Sequence, residues 1–271
     1  MKKAPQHYYS HHGRHKHPTT LWHRMATGLV LPLLLVLVAS TVVTGALTVP
    51  HEYALRAGTL LLALGFTLLR LLVAYALCLL IGIPLGFLAE SDHRVESVLL
   101  PIYDVLESIP VLAFFPIIII FFVSSGWLQG AALFILFFSM VWNIIFSTIG
   151  GLKVIPRNVR AAGKVFGLTA WQRFILVELP ALFPSLVTGS ILALAAGWNI
   201  MIVAEGLKAY APQSTGAHDL FGIGSILVTA SRSGDAEALV WALFFLIAAI
   251  ALINIAVWQP LLARAERYKF E

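Results

Sequence analysis

Charged residues and cysteine are both scarce in this sequence of 271 residues. Asp, Glu, Lys and Arg make up 11% of it, whereas hydrophobic residues make up 59%. This balance excludes an ordinary soluble domain and is typical of a polytopic membrane protein. The single cysteine, Cys78, lies in an apolar run, which excludes an intramolecular disulfide and a thiolate metal cluster.

Sequence motifs of catalysis are also missing. The chain contains no GxxxxGK[ST] phosphate loop, no HExxH and no GxSxG, so nothing in it is expected to cradle a nucleotide or activate a nucleophile. We therefore predict no catalytic site, no metal site and no cofactor in this chain. Residues 1–24 are predicted to be a disordered, His-rich tail. Metal binding by that tail stays open as an alternative, through His7, His11, His12, His15 and His17.

Long uncharged runs dominate the rest of the chain, and each membrane crossing needs about 20 residues. The run at 108–152 is long enough for two crossings, with a turn at Ser124–Gly130. The predicted fold is all-α and polytopic, with a membrane domain at 25–265 and a short C-terminal tail at 266–271. Six helices are expected, at 26–48, 58–88, 100–123, 130–150, 182–204 and 238–260.

Positive charge predicts the orientation, because cytoplasmic loops retain Lys and Arg. With the N-terminus inside, fourteen of the eighteen Lys and Arg residues face the cytoplasm. Only Arg56, Lys208 and Arg232 then lie outside, and Arg70 lies within a span. Both termini are therefore expected in the cytoplasm, and the net charge of +5 reports topology, with no indication of nucleic-acid binding.

Residues 156–180, the coupling segment below, are amphipathic and lie between two apolar runs. Their pattern predicts two short helices that meet at Gly167, a residue suited to a left-handed helix stop. Thr169 and Gln172 match a capping box that restarts a helix, and Pro180 is expected to mark the start of the next span. A helical hairpin at the cytoplasmic surface results. An interfacial helix resting on anionic lipid is the alternative.

The coupling segment resembles the EAA loop of ABC-importer permeases. That consensus is Glu-Ala-Ala, three residues, Gly, nine residues and Ile-x-Leu-Pro. The spacing here is the same, although Ala161 replaces the leading glutamate. The resemblance identifies the chain as type I importer permease-like, and it extends over about residues 60–265. It implies that an ATPase docks on Ala161, Ala162, Gly163, Phe166, Gly167, Trp171, Leu179 and Pro180.

Motifs elsewhere resemble the nitrate, sulfonate and taurine branch of these permeases. They include Thr67–Arg70, Ile81–Gly86 and the prolines between Pro101 and Pro116. The resemblance implies two ATPase subunits that bind ATP and Mg²⁺, a second permease subunit, an extracytoplasmic solute-binding protein and the inner membrane of a bacterium. The substrate implied is a small solute, such as the anions of that branch.

Four residues are candidates for a translocation path: Arg70, Trp198, Asn199 and Glu205. A cation inside an apolar helix is expected to face protein or water, yet Arg70 bonding to a neighbouring helix, and an interfacial cap formed by the other three, are open alternatives. The loop at 206–236 is expected to lie outside, with a short helix or interfacial stretch within Leu220–Thr229. A secondary transporter is the alternative function, but it needs paired ions in the membrane, and only Arg70 is expected to be buried.

Overall fold

The computed structural model describes residues 53–156, 158–159, 166–210 and 219–268. The helix predicted at 26–48, the His-rich tail and Lys269–Glu271 lie outside the described residues. Within these ranges the chain forms helices and turns, with no strand. Four helices are long and apolar enough to cross a membrane, and a fifth crossing results if one bent pair of helices counts as a single span.

The helices are numbered in chain order. They are α1 (Tyr53–Ala89), α2 (His93–Ser108), α3 (Val111–Val123), α4 (Leu128–Val154), α5 (Trp171–Glu205), α6 (Leu207–Tyr210), α7 (Ile223–Ser233) and α8 (Ala236–Tyr268). α4 is the central helix, and its buried face packs against both α1 and α5. The predicted helices at 58–88, 130–150, 182–204 and 238–260 all have counterparts, each longer than its prediction.

The prediction of one straight helix at 100–123 is wrong. The structure has α2 and α3 there, bent by 85° with respect to each other. Ile109 ends α2 with φ −76° and ψ 120°, an extended conformation, and Pro110 follows it. A proline disfavours the helical conformation of the residue before it, so the chain turns at Ile109.

The second helix of the predicted hairpin is not separate from the span that follows. α5 runs through Pro180 without a break, and its regular α-helical part after the π turn begins at Leu179, with Pro180 in the first turn as the sequence predicts. A π-helical turn at Phe174–Glu178 comes directly before Leu179 and Pro180. Proline lacks the N–H of an α-helical bond and crowds the carbonyl four residues earlier, and the wider π turn accommodates both effects. The same order occurs in α8, where a π turn at Asn254–Trp258 precedes Pro260.

Candidate coupling surface and buried ion pair

The described part of the coupling segment has the local geometry that its sequence predicts. Gly167 has φ +66°, in the left-handed region. The backbone N–H of Thr169 donates to Gln172 Oε1 at 2.9 Å, and that of Gln172 donates to Thr169 Oγ1 at 3.3 Å. The left-handed conformation predicted at Gly167 and the predicted capping box are therefore both confirmed, whereas most of the helix predicted before Gly167 lies outside the described residues. Both depend on neighbours within three residues, which is why the sequence alone could specify them.

Two large aromatic residues of the coupling segment are exposed. Phe166 is 80% exposed and Trp171 is 68% exposed, on either side of the Gly167 turn. Ala161, Ala162 and Gly163 lie outside the described residues. Among the other predicted docking residues, Leu179 is exposed and Pro180 is partly buried. Two large aromatic side chains thus project beside the Gly167 turn with most of their surface exposed, an arrangement typical of a contact site for a protein partner or for lipid.

Contacts behind these rings connect the coupling segment to the bundle. Trp171 stacks on Phe174, with ring centroids 5.6 Å apart, and Phe174 meets Phe87 near the end of α1 edge to face at 5.2 Å. Arg173 Nε donates to Glu178 Oε1 at 3.0 Å across the π turn. A partner that moves Trp171 would therefore act on α1 as well as on α5.

A buried ion pair lies where α5 ends. Arg70 Nη1 donates to Glu205 Oε1 at 2.7 Å, and the two residues are 6% and 1% exposed. Thr67 Oγ1 also donates to Glu205 Oε1, at 2.8 Å, and the backbone N–H of Gly224 donates to Glu205 Oε2 at 2.8 Å. Both carboxylate oxygens therefore have partners, as a charge inside a protein requires.

The arginine is equally well satisfied. Its Nε donates to Gln129 Oε1 at 2.9 Å and its Nη2 to the carbonyl of Phe221 at 2.9 Å. Thr67 Oγ1 accepts the backbone N–H of Ile223 at 2.9 Å. Thr67, Arg70, Gln129 and Glu205, with the backbone of residues 221–224, form what we call the Arg70–Glu205 cluster. It joins α1, α4, α5 and the start of α7.

Gly222 makes this packing possible. A Cβ at Gly222 would collide with the carboxylate of Glu205, and one at Gly224 would lie 2.9 Å from Glu205 Oε2. Gly222 has an extended backbone with φ −179°, so the demand there is for space. At Gly167 nothing lies within 4 Å of such a Cβ, so the demand there is for the left-handed backbone.

The sequence singled out Arg70 and Glu205 without pairing them, and the expectation that only Arg70 is buried is wrong. Glu205 is the charge that ends the uncharged run 179–204, and a charge at the end of an apolar span was the available signal for its role. Gln129, Thr67 and Gly222 were missed, because their roles depend on contacts between distant segments. Of the other path candidates, Trp198 packs partly buried against the core, and Asn199 is exposed and away from the cluster.

Comparisons with known proteins agree on a transport family. Residues 82–259, more than half of the chain, match the model of the binding-protein-dependent transport system inner membrane component. The nitrate import permease protein NrtB of Leptolyngbya laminosa is 31% identical over 191 residues, which cover 70% of this chain and 64% of that protein. The taurine transport system permease protein TauC of Escherichia coli is 25% identical over 190 residues, covering 70% and 68%.

A third relative is the bicarbonate transport system permease protein CmpB of a Synechocystis species. It is 28% identical over 197 residues, covering 72% of this chain and 66% of that protein. The chain thus spans slightly less than two thirds of the length of the NrtB and CmpB relatives. These relatives confirm the branch that the sequence motifs predicted. The chain belongs to the family of binding-protein-dependent transport inner membrane components, the permease subunits of ABC importers.

Proposed function

We propose that this protein is the permease subunit of an ATP-driven importer for a small solute, in the same class as the nitrate, bicarbonate and taurine permeases it resembles. Family membership supports the transport function. The observation that supports coupling to a separate ATPase is the pair of exposed aromatic rings, Phe166 and Trp171, on either side of a left-handed glycine. A secondary transporter has no such need for a docking surface.

The proposed assembly contains two ATPase subunits, a second permease subunit and an extracytoplasmic solute-binding protein. ATP and Mg²⁺ bind the ATPases, which supply the hydrolysis that this chain does not perform. The complex lies in the cytoplasmic membrane of a bacterium, with both termini of this chain and the coupling segment on the cytoplasmic side.

Closure of the ATPases on ATP would push on the coupling segment as a rigid body. Its capping box and the Arg173–Glu178 pair resist bending, and the ring contacts of Phe174 pass the movement to Phe87 on α1. The two helices that receive this push, α1 and α5, also carry Arg70 and Glu205. Rocking of the permease subunits then alternates access to a central path.

Arg70, Trp198, Asn199 and Glu205 remain our proposal for residues of that path. In the present conformation Arg70 and Glu205 neutralise each other inside the protein. The two charges would therefore meet a solute only in a state in which the pair has separated. Asn199, exposed on α5, needs no such change.

Co-purification tests the proposal directly. We expect the ATPase encoded with this protein to remain bound to the wild-type chain in detergent. Trp171→Ala should weaken its affinity about thirtyfold, because removal of a central aromatic residue typically costs about 2 kcal/mol. Phe121→Ala is the matched control, since Phe121 is 69% exposed on α3, outside the coupling segment.

Two outcomes would contradict the proposal. One is equal ATPase retention by the wild type and the Trp171→Ala variant. The other is solute uptake by the purified chain in vesicles that have an ion gradient and no ATPase, a result that would establish the secondary transporter instead.

A further inference from the structure

A cleft of about 400 Å³ lies between two helices. One is α5, directly after its π turn, and the other is the C-terminal end of α8. Leu179, Pro180 and Phe183 line it from α5, and Arg264, Arg267 and Tyr268 line it from α8. The rings of Phe183 and Tyr268 meet edge to face at 5.6 Å. One side of the cleft is therefore apolar, and the other presents two guanidinium groups.

The two arginines carry charge that the described residues do not neutralise. Neither makes an ion pair with a described carboxylate. Glu178, next in sequence to the cleft, is bonded to Arg173 at 3.0 Å. Glu266 is exposed and does not line the cleft. The cleft is therefore lined by two guanidinium groups with no ion-pair partner among the described residues, and their forked N–H donors match the geometry of a phosphate.

The position of the cleft relative to the membrane follows from the charge pattern. Leu179 begins the uncharged run 179–204, and Arg264 is the first charge after the uncharged run 238–263. Each run is long enough to fill the hydrocarbon core, so the ends of both runs mark the boundary with the lipid headgroups. Tyr268 lies at the same boundary, as interfacial tyrosines commonly do.

We propose that this cleft binds the phosphate of an anionic phospholipid. The guanidinium groups of Arg264 and Arg267 donate to the phosphate oxygens, and an acyl chain extends along the apolar side at Phe183. A free phosphate ion would gain nothing from that apolar side, whereas a lipid uses both. Basic pockets between membrane helices bind anionic headgroups in this manner.

The site requires only that the chain is embedded in a membrane, so it does not depend on the proposed transport cycle. It does touch that cycle at one point, because Leu179 and Pro180 also belong to the coupling segment. A bound lipid would therefore contact the start of α5 at two of the residues on which the ATPase is proposed to dock.

Native mass spectrometry of the full-length chain tests the proposal. The protein is delipidated, then titrated with phosphatidylglycerol or phosphatidylcholine in detergent. We expect phosphatidylglycerol to bind more tightly than phosphatidylcholine, and Arg264→Gln and Arg267→Gln each to weaken it about tenfold, as expected for loss of a charge-assisted bond. Arg94→Gln is the control, since Arg94 is exposed at the start of α2, lies at the same end of the bundle and does not line the cleft.

Three results would overturn the proposal. The first is wild-type phosphatidylglycerol binding by both arginine variants. The second is an equal loss with Arg94→Gln, which would show attraction to net charge only. The third is displacement of the lipid by millimolar inorganic phosphate, because the site would then be one for a free anion. Since all three arginines are exposed, their replacement leaves the packed core intact, and thermal unfolding checks this.

Discussion

The two ends of the bundle use polar and apolar groups in opposite ways. Where α5 ends, Arg70 and Glu205 lie inside the protein, where they bond to each other and to partners on α1, on α4 and in residues 221–224. Near the start of α5, Phe166 and Trp171 lie on the protein surface with most of their side chains exposed. The buried charges hold four segments of the chain together, whereas the exposed rings keep most of their apolar surface accessible. We propose that the first arrangement stabilises the fold and that the second receives the ATPase.

The largest expected effect comes from removing one member of the ion pair. Glu205→Leu leaves Arg70 buried without its carboxylate, and we expect a loss of about 3–5 kcal/mol in the free energy of unfolding. Thermal or denaturant unfolding in detergent measures it. Replacing both residues, with Arg70→Met added, should recover much of the loss because no unpaired charge remains.

Glu266→Leu is the control for this comparison, since Glu266 is an exposed carboxylate. A Glu205→Leu chain as stable as the Glu266→Leu chain would show that the cluster contributes nothing to stability, and the contrast between the two ends would fail.

Gly222→Ala is expected to lower the free energy of unfolding by a smaller amount. The added methyl group would displace the carboxylate of Glu205, which is held by bonds from Thr67, Arg70 and Gly224 and so cannot move freely. Overpacking of this kind costs about 1–3 kcal/mol. Gly58→Ala is the matched control, since a Cβ there meets nothing within 4 Å. Equal unfolding midpoints for the two variants would refute the steric role of Gly222.

Gly167→Val in the coupling segment is expected to have the smallest effect on the free energy of unfolding and a large effect on transport. Gly167→Val forces a β-branched residue into φ +66°, a local strain of about 1–2 kcal/mol. The turn should distort while the membrane helices stay folded, so ATP hydrolysis no longer drives uptake. Solute uptake per ATP hydrolysed in proteoliposomes measures this.

Gly167→Asn sharpens that test, because asparagine tolerates the left-handed region better than valine does. It should keep most of the coupling. Uptake by the Gly167→Val complex at the wild-type ratio would show that the turn geometry does not matter for transport.

The sequence predicts a structural feature best when the contacting residues are close together in the chain. At the coupling segment, Gly167 and the Thr169–Gln172 box interact within three residues, and the pattern was sufficient. In the Arg70–Glu205 cluster, the partners are 135 residues apart in the chain. Each residue could be singled out from the sequence, but their pairing depends on the fold. Hydrophobic runs predicted where most helices lie, but could not predict that the turn at Ile109–Pro110 would split one of them.

Because α1 is much longer than the membrane is thick, a small rotation of this helix moves its ends by several ångströms. Its 37 residues give a rise of about 55 Å, nearly twice the roughly 30 Å of hydrocarbon that it crosses. Even a tilt of about 40° leaves a projection of about 42 Å, so part of the helix stands in water or among headgroups. A rotation of about ten degrees around its midpoint carries each tip by about 5 Å. Arg70 lies one residue from that midpoint, so such a swing moves both ends of α1 while the contact with Glu205 stays close to the pivot.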